Sequence, residues 1–214
     1  SLITSLVFLL QILQPLNLTF GFLVTTFGLI PADVAGSGSV WQLFTYMFLH
    51  GDPMHLLFNM YGVFIFGIMV EEVWGPRKFL LYYLYCGIGA GISIFLLNFV
   101  AGGPGYFFPT IGASGAMFGL LLAFGMLFPD VELLVFFILP VKAKYLVVIY
   151  GGIELFFELS GGASTISHIG HLGGLVFGIL YFVFFEKRKW VRRKVREMAK
   201  KVDLSDGDGQ GLHR

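Results

Sequence analysis

The sequence predicts an all-α, polytopic membrane protein, a bundle of six transmembrane helices, and three observations carry that prediction. The 214 residues are 57% hydrophobic and 13% charged, with 25 Phe and a mean hydropathy of +0.82, far from the composition of a soluble domain. Charge-free intervals recur at the length of a bilayer crossing. The basic residues are segregated: 10 of the 14 Lys and Arg lie from Lys187 onward.

A helix needs about 20 mostly apolar residues to cross the hydrocarbon core, so charges bound the spans. Residues 1–32 carry no charge and hold the first span in their earlier part, before Phe27-Gly28-Leu29-Ile30-Pro31. They lack the basic region, bounded apolar core and small-residue site of a cleavable signal peptide, so none is expected. The second span fits Pro53 to Val70, between Asp52 and Glu71-Glu72. The interval from Phe79 to Pro129 is too long for one helix, and Ala101-Gly102-Gly103-Pro104-Gly105 breaks it into a third and a fourth. Leu133 to Val141 is too short to cross and contains Pro140, so it reads as a segment skimming the interface. A fifth span starts near Lys144 and ends about Leu159, carrying Glu154 and Glu158. After the turn signal Ser160-Gly161-Gly162-Ala163-Ser164, a sixth covers His168 to Phe185. Residues 1–185 therefore form one six-span domain.

Short loops rich in Lys and Arg stay on the cytoplasmic side. With both termini inside, Arg77, Lys78, Lys142, Lys144 and the basic tail all fall inside. The reverse orientation places nearly every one of them on the wrong face. Residues 186–201, EKRKWVRRKVREMAKK, bring Trp190, Val191, Val195 and Met198 to roughly one helical face. Two readings stand here: a basic amphipathic helix lying on anionic lipid, or a solvated stop-transfer anchor. The Asp- and Gly-rich residues 202–214 have the composition of a disordered tail. The single cysteine, Cys86, sits in an apolar stretch and reads as a packing residue.

In this topology the second, fourth and sixth spans all run from outside to inside, so their first turns share one depth. Each first turn carries polar residues: His55 and Asn59, then Gly112-Ala113-Ser114-Gly115, then His168 and His171. Polar groups are costly in hydrocarbon and belong against the bundle interior or a watered cavity. Taken singly, Ser114 is as well read as a small helix-contact residue, His171 as a satisfied interior histidine, and His55 with Asn59 as a polar tie between helices. Together they read as a site. Ser114 follows a Gly-rich break at a helix start, where free N–H groups and the helix dipole favour an oxyanion. Gly170, Gly174 and Gly178 form a smooth ridge that can approach the small face of the fourth span, bringing His171 towards Ser114 as general base. His55 and Asn59, at i and i+4, can both aim donors at a developing oxyanion. No third member is obvious. Asp33 and Asp52 lie in the first outer loop, Glu158 reaches the outer interface, and Glu154 is expected to be hydrogen-bonded inside the bundle. A Ser114–His171 dyad is therefore the reading, in preference to a triad.

The pattern His50-x4-His55-x3-Asn59, then Gly112-x-Ser114-Gly115, then His171-x2-Gly174, resembles that of the rhomboid proteases. The likeness runs from about Trp41 to Gly178 and includes Glu71-x3-Gly75-x2-Lys78, similar to a structural turn of that family. The resemblance implies a catalytic dyad of Ser114 and His171, and an oxyanion site of His55, Asn59 and the Ser114 backbone. His50, Gly112, Gly115, Phe118, His168 and Gly174 would be supporting residues. Many members carry Trp-Arg where this chain has Trp41-Gln42, so anchoring of that loop is expected to differ. Many also carry Tyr four residues after the nucleophile, where Phe118 keeps the stacking surface and loses the hydroxyl.

The implied reaction is hydrolysis, through an acyl-enzyme, of peptide bonds in transmembrane segments of membrane-protein substrates, near the extracytoplasmic face of a bacterial inner membrane. The expected partners are such substrate helices and the lipid bilayer. No metal, cofactor or nucleic acid is implied, and the sequence is silent on oligomeric state. Three rivals share some of the features. A non-catalytic relative that escorts membrane helices is disfavoured by the presence of both Ser114 and His171. A transporter using Glu154 lacks inverted repeats. A metalloenzyme built on His50, His55, His168 and His171 leaves Ser114 and the Gly112 turn unexplained.

Overall fold

A computed structural model of the chain describes residues 17–135, 138–160, 167–186 and 196–197. Much of the first predicted span, nearly all of the basic segment 186–201 and the tail 202–214 lie outside the described residues.

Helix α1 (Asn17–Phe27) leads into an outer segment of two short helices, α2 (Pro31–Ser37) and α3 (Gln42–Thr45), the latter continued by a 3-10 turn over Tyr46–Phe48. Two long helices follow, α4 (Pro53–Trp74) and α5 (Pro76–Ala101), then α6 (Ser114–Leu127), α7 (Ala143–Leu159) and α8 (His168–Phe184). The start of α4 is written locally: Asp52 Oδ1 accepts the His55 N–H at 2.9 Å, and Pro53 occupies the first turn, where its missing N–H costs nothing. Gly75, at φ 79°, ends α4 and admits Pro76 to start α5. At 22 and 26 residues, α4 and α5 are long and apolar enough to cross a membrane. With 14 residues α6 spans about 21 Å, well short of a hydrocarbon core of about 30 Å.

The segment between α6 and α7, expected to skim the interface, forms an antiparallel hairpin of β1 (Glu132–Val135) and β2 (Leu139–Lys142), with Leu134 opposite Pro140, a piece of β structure that the all-α reading did not include. A two-stranded ribbon has free edges on both sides, so Pro140 loses no required donor. Leu133 turns inward while Glu132 and Leu134 face out, an alternation that a search for 20-residue apolar runs passes over.

Helix α8 is the centre of the bundle, packed on α5, α6 and α7. Close approach needs small residues, and a Cβ on Gly174 of α8 would fall on the carbonyl oxygen of Gly115 in α6. The other two glycines of the α8 ridge reach further helices: Gly170 faces Ile94 of α5, and Gly178 sits between Leu122 of α6 and Tyr82 of α5. Away from the first turns of α4, α6 and α8, the core is aromatic. Trp74, Tyr82, Phe124, Phe128 and Phe182 are buried together, with the Trp74 and Tyr82 rings edge-to-face at 4.9 Å. Cys86 is buried in the same cluster as a free thiol.

Candidate active site

Ser114 is the first residue of α6. The turn before it is anchored to the outer segment: Gly112 N–H donates to the Tyr46 carbonyl at 3.0 Å, while Thr110 and Leu29 exchange two backbone bonds of 2.9 Å each. Gly112 has φ 124°, and a Cβ there would lie 2.7 Å from His55 Nε2, so the turn requires glycine twice over. As a first-turn residue, Ser114 has a backbone N–H with no partner inside its own helix.

His171 approaches from α8, whose N-terminus is capped by Ser167 Oγ accepting the Gly170 N–H. Its Nε2 is 2.7 Å from Ser114 Oγ. Phe118, one turn along α6, stacks on the imidazole with centroids 4.3 Å apart and planes 9° from parallel. On the opposite edge of the ring, Nδ1 lies 3.0 Å from Glu154 Oε1 of α7, at ion-pair distance but off the line of a hydrogen bond. The second Glu154 oxygen is 2.5 Å from His168 Nδ1. His168 stacks on Phe157 at 5.4 Å.

His55 faces the Gly112 turn from α4. Gly51 N–H points at its Nδ1 at 3.4 Å, which assigns the proton to Nε2, the nitrogen turned towards Gly112. Asn59, one turn on, is buried. Its Nδ2 donates to the His55 carbonyl at 2.8 Å, using one of its two amide hydrogens. His50 is fully buried, with its ring edge-to-face on His55 at 4.9 Å. Gly115 and Gly174 touch backbone to backbone and set the spacing of α6 and α8.

The structure thus brings Ser114, His171, His55, Gly112 and Phe118 around one cavity of about 1330 Å³, with Asn59 and His168 also in its wall. His50 lies behind His55 instead of in the wall. Three contributions go beyond the sequence reading, which expected only that Glu154 is hydrogen-bonded inside the bundle and that the loop at Trp41-Gln42 is anchored differently. Asp52 caps α4 and so orients His55, which the run Asp52-Pro53-x-His55 could have signalled. Gln42, fully buried, accepts the Ile30 N–H on Oε1 at 3.0 Å and points Nε2 at the Thr25 carbonyl at 3.3 Å, so the outer segment is anchored by an amide. Glu154 bridges both histidines of α8. Its signal was available too, because a carboxylate within a span needs a polar partner and His168 and His171 are the nearest on the next span.

Fold and site together define a polytopic helical membrane protein with a serine and a histidine in contact at the head of two packed helices. The Rhomboid domain model matches residues 37–188, and the chain belongs to the rhomboid family. It is 32% identical over 155 residues to the rhomboid protease GluP of Bacillus subtilis, covering 72% of this chain and 28% of GluP. It is 27% identical over 160 residues to the rhomboid protease GlpG of Haemophilus influenzae, covering 74% of this chain and 77% of that protein. Against the mitochondrial RHOMBOID-like protein 12 of Arabidopsis thaliana it is 29% identical over 180 residues, 79% of this chain and 53% of the plant protein. The chain therefore spans less than a third of GluP and about half of the plant relative.

Proposed function

We propose that the protein is an intramembrane serine endopeptidase. The observation that carries this reading is the 2.7 Å contact between Ser114 Oγ and His171 Nε2 at the N-terminus of α6, beside an open cavity. In the proposed reaction His171 takes the hydroxyl proton on Nε2, Ser114 Oγ attacks the scissile carbonyl, and the proton passes to the leaving amine. Water then hydrolyses the ester with His171 again as base. The oxyanion is stabilised by the free Ser114 N–H, by His55 Nε2–H and by the second amide hydrogen of Asn59. The reading draws support from relatives named as rhomboid proteases in two bacteria.

The shortness of α6 gives the reaction its depth. If α6 ends at one membrane surface, about 21 Å of helix leaves Ser114 beneath the other, so water reaches it only through the cavity. A helical substrate hides its own carbonyls, so the segment cut is one that unwinds locally, weakened by Gly, Pro or polar residues. In the proposed topology both termini are cytoplasmic and the cavity opens to the extracytoplasmic side of a bacterial inner membrane.

The experiment is fluorophosphonate labelling of the detergent-solubilised protein together with cleavage of a model transmembrane substrate. Wild type should label and cleave. Ser114→Ala should do neither, and His171→Ala should lose at least about 10³-fold in rate while its thermal unfolding stays within a few degrees of wild type. Folded wild-type protein that neither labels nor cleaves would favour a non-catalytic helix-binding role instead.

A further inference from the structure

The proposed acyl transfer needs one nitrogen of His171 and leaves the other unexplained. A neutral imidazole carries a single N–H. If Ser114 donates to Nε2, the proton must sit on Nδ1. The carboxylate beside Nδ1 is Glu154, buried and placed on a third helix, with one oxygen at each histidine of α8. We propose that Glu154 is the positioning residue of the site. Oε1 accepts Nδ1–H of His171, which fixes the tautomer with Nε2 open to Ser114, and Oε2 accepts Nδ1–H of His168, which fixes the carboxylate. This rests on the serine-protease reading above.

The groups around His171 divide the work. Phe118 covers one face of the ring at 4.3 Å and restrains its plane, but a phenyl group cannot choose between tautomers. The Ser114 hydroxyl can donate or accept, so it cannot choose either. Among the titratable groups near the ring, His168 on the same helix is turned to the other carboxylate oxygen, and His55 faces it from across the cavity on α4. Of these groups, among the described residues, Glu154 alone accepts without being able to donate. When the Ser114 proton arrives on Nε2, the imidazolium gains a charged neighbour already in place. The proton later leaves from Nε2 to the departing amine, and Glu154 stays ionised throughout. The imperfect line of the Nδ1 contact fits a resting site that tightens when charge develops on the ring. A tie between helices alone would need only the His168 contact.

The three donors also lie within 4.8 Å of one another, the spacing of a metal group. A tetrahedral ion with bonds of about 2.0–2.1 Å holds its ligands about 3.4 Å apart. The 2.5 Å between Glu154 and His168 is closer than that and matches a direct hydrogen bond between the two side chains.

The test uses the full chain in detergent with a transmembrane substrate, comparing wild type, Glu154→Gln, Glu154→Asp and Ser114→Ala. Glu154→Gln puts an amide that can donate where the acceptor stood. Its kcat should fall by about 10²–10⁴-fold, with KM within about threefold and labelling slowed in parallel. Glu154→Asp should recover at least about tenfold of that loss. A folded Glu154→Gln enzyme within threefold of wild type overturns the proposal, as does a loss confined to KM or a gain of activity on adding a chelator. Should Glu154→Gln fail to fold, 15N spectra of histidine-labelled wild type decide: an Nδ1–H tautomer at His171 supports the proposal and an Nε2–H tautomer overturns it. An active wild type beside a fully active Glu154→Gln defeats this inference alone. An inactive, folded wild type defeats the protease reading and takes this inference with it.

Discussion

The two ends of the bundle are built on opposite plans from the same helices. At one end α4, α6 and α8 contribute His55, Asn59, Ser114, His168 and His171 around a cavity of about 1330 Å³. At the other, Trp74, Phe124, Phe128 and Phe182 join Tyr82 of α5 in a buried aromatic core. One charge at this second end is partly covered: Lys78 Nζ lies 2.5 Å from Glu186 and 4.5 Å above the Trp74 ring. In a bilayer, helix association depends on packing because lipid is as apolar as leucine. The aromatic end therefore supplies the fit that holds the helices together, and it lets the polar end stay open to water.

Three measurements break or sharpen that comparison, beginning with the largest expected effect. Trp74→Ala removes the ring that touches Tyr82, Tyr181 and Phe182 and that covers Lys78. It should cost about 3 kcal/mol or more of stability in detergent unfolding, while turnover per folded molecule stays near wild type. An equal loss of turnover would mean that the two ends are not separable.

A second measurement uses pH. His50 sits in the loop before α4, outside the spans, and burial together with the neighbouring His55 imidazole lowers it from 6.5 to about 4. The folded protein thus holds this proton less tightly than the unfolded chain does. The His50 contribution is complete above pH 6.5 and is lost as pH falls from 6.5 towards 4, by about 3 kcal/mol in all. His50→Gln should flatten the acid side of the stability profile, and Trp74→Ala should leave that slope in place. The smallest effect is expected at Asp130, an exposed residue whose carboxyl is held below the usual range by its hydrogen bond to Lys144. Asp130→Asn, on the exposed surface beside the aromatic end, should leave both melting temperature and turnover unchanged, because exposed pairs of this kind are screened by water.

What the sequence made legible is what lipid enforces along the chain. Charges and glycine–proline breaks place the ends of α5, α7 and α8 within a few residues, since either is costly in hydrocarbon without a partner. The second span runs four residues past its predicted end, to Trp74, because Glu71 and Glu72 continue the helix beyond the apolar stretch. The hairpin at 132–142 was hidden because its strands are only four residues long and only β1 alternates between outward and inward residues. The contacts of Glu154 were hidden for a different reason. They join side chains 14 and 17 positions apart on separate helices, and helical periodicity reports only which face a residue occupies, not the rotation of the next helix against it. Gln42 illustrates the same limit: its place in the chain marked a different anchor, but its partners Ile30 and Thr25 were set by the folding of the outer segment.

The contact of Gly174 with the Gly115 carbonyl acts as a mechanical stop. Two backbones that already touch can only be moved apart, so every substitution at position 174 acts in one direction, lengthening the gap between Ser114 and His171. That makes the position a dial for an engineer. A series from glycine through alanine to larger side chains would attenuate the proposed activity by graded separation while leaving Ser114 and His171 chemically intact.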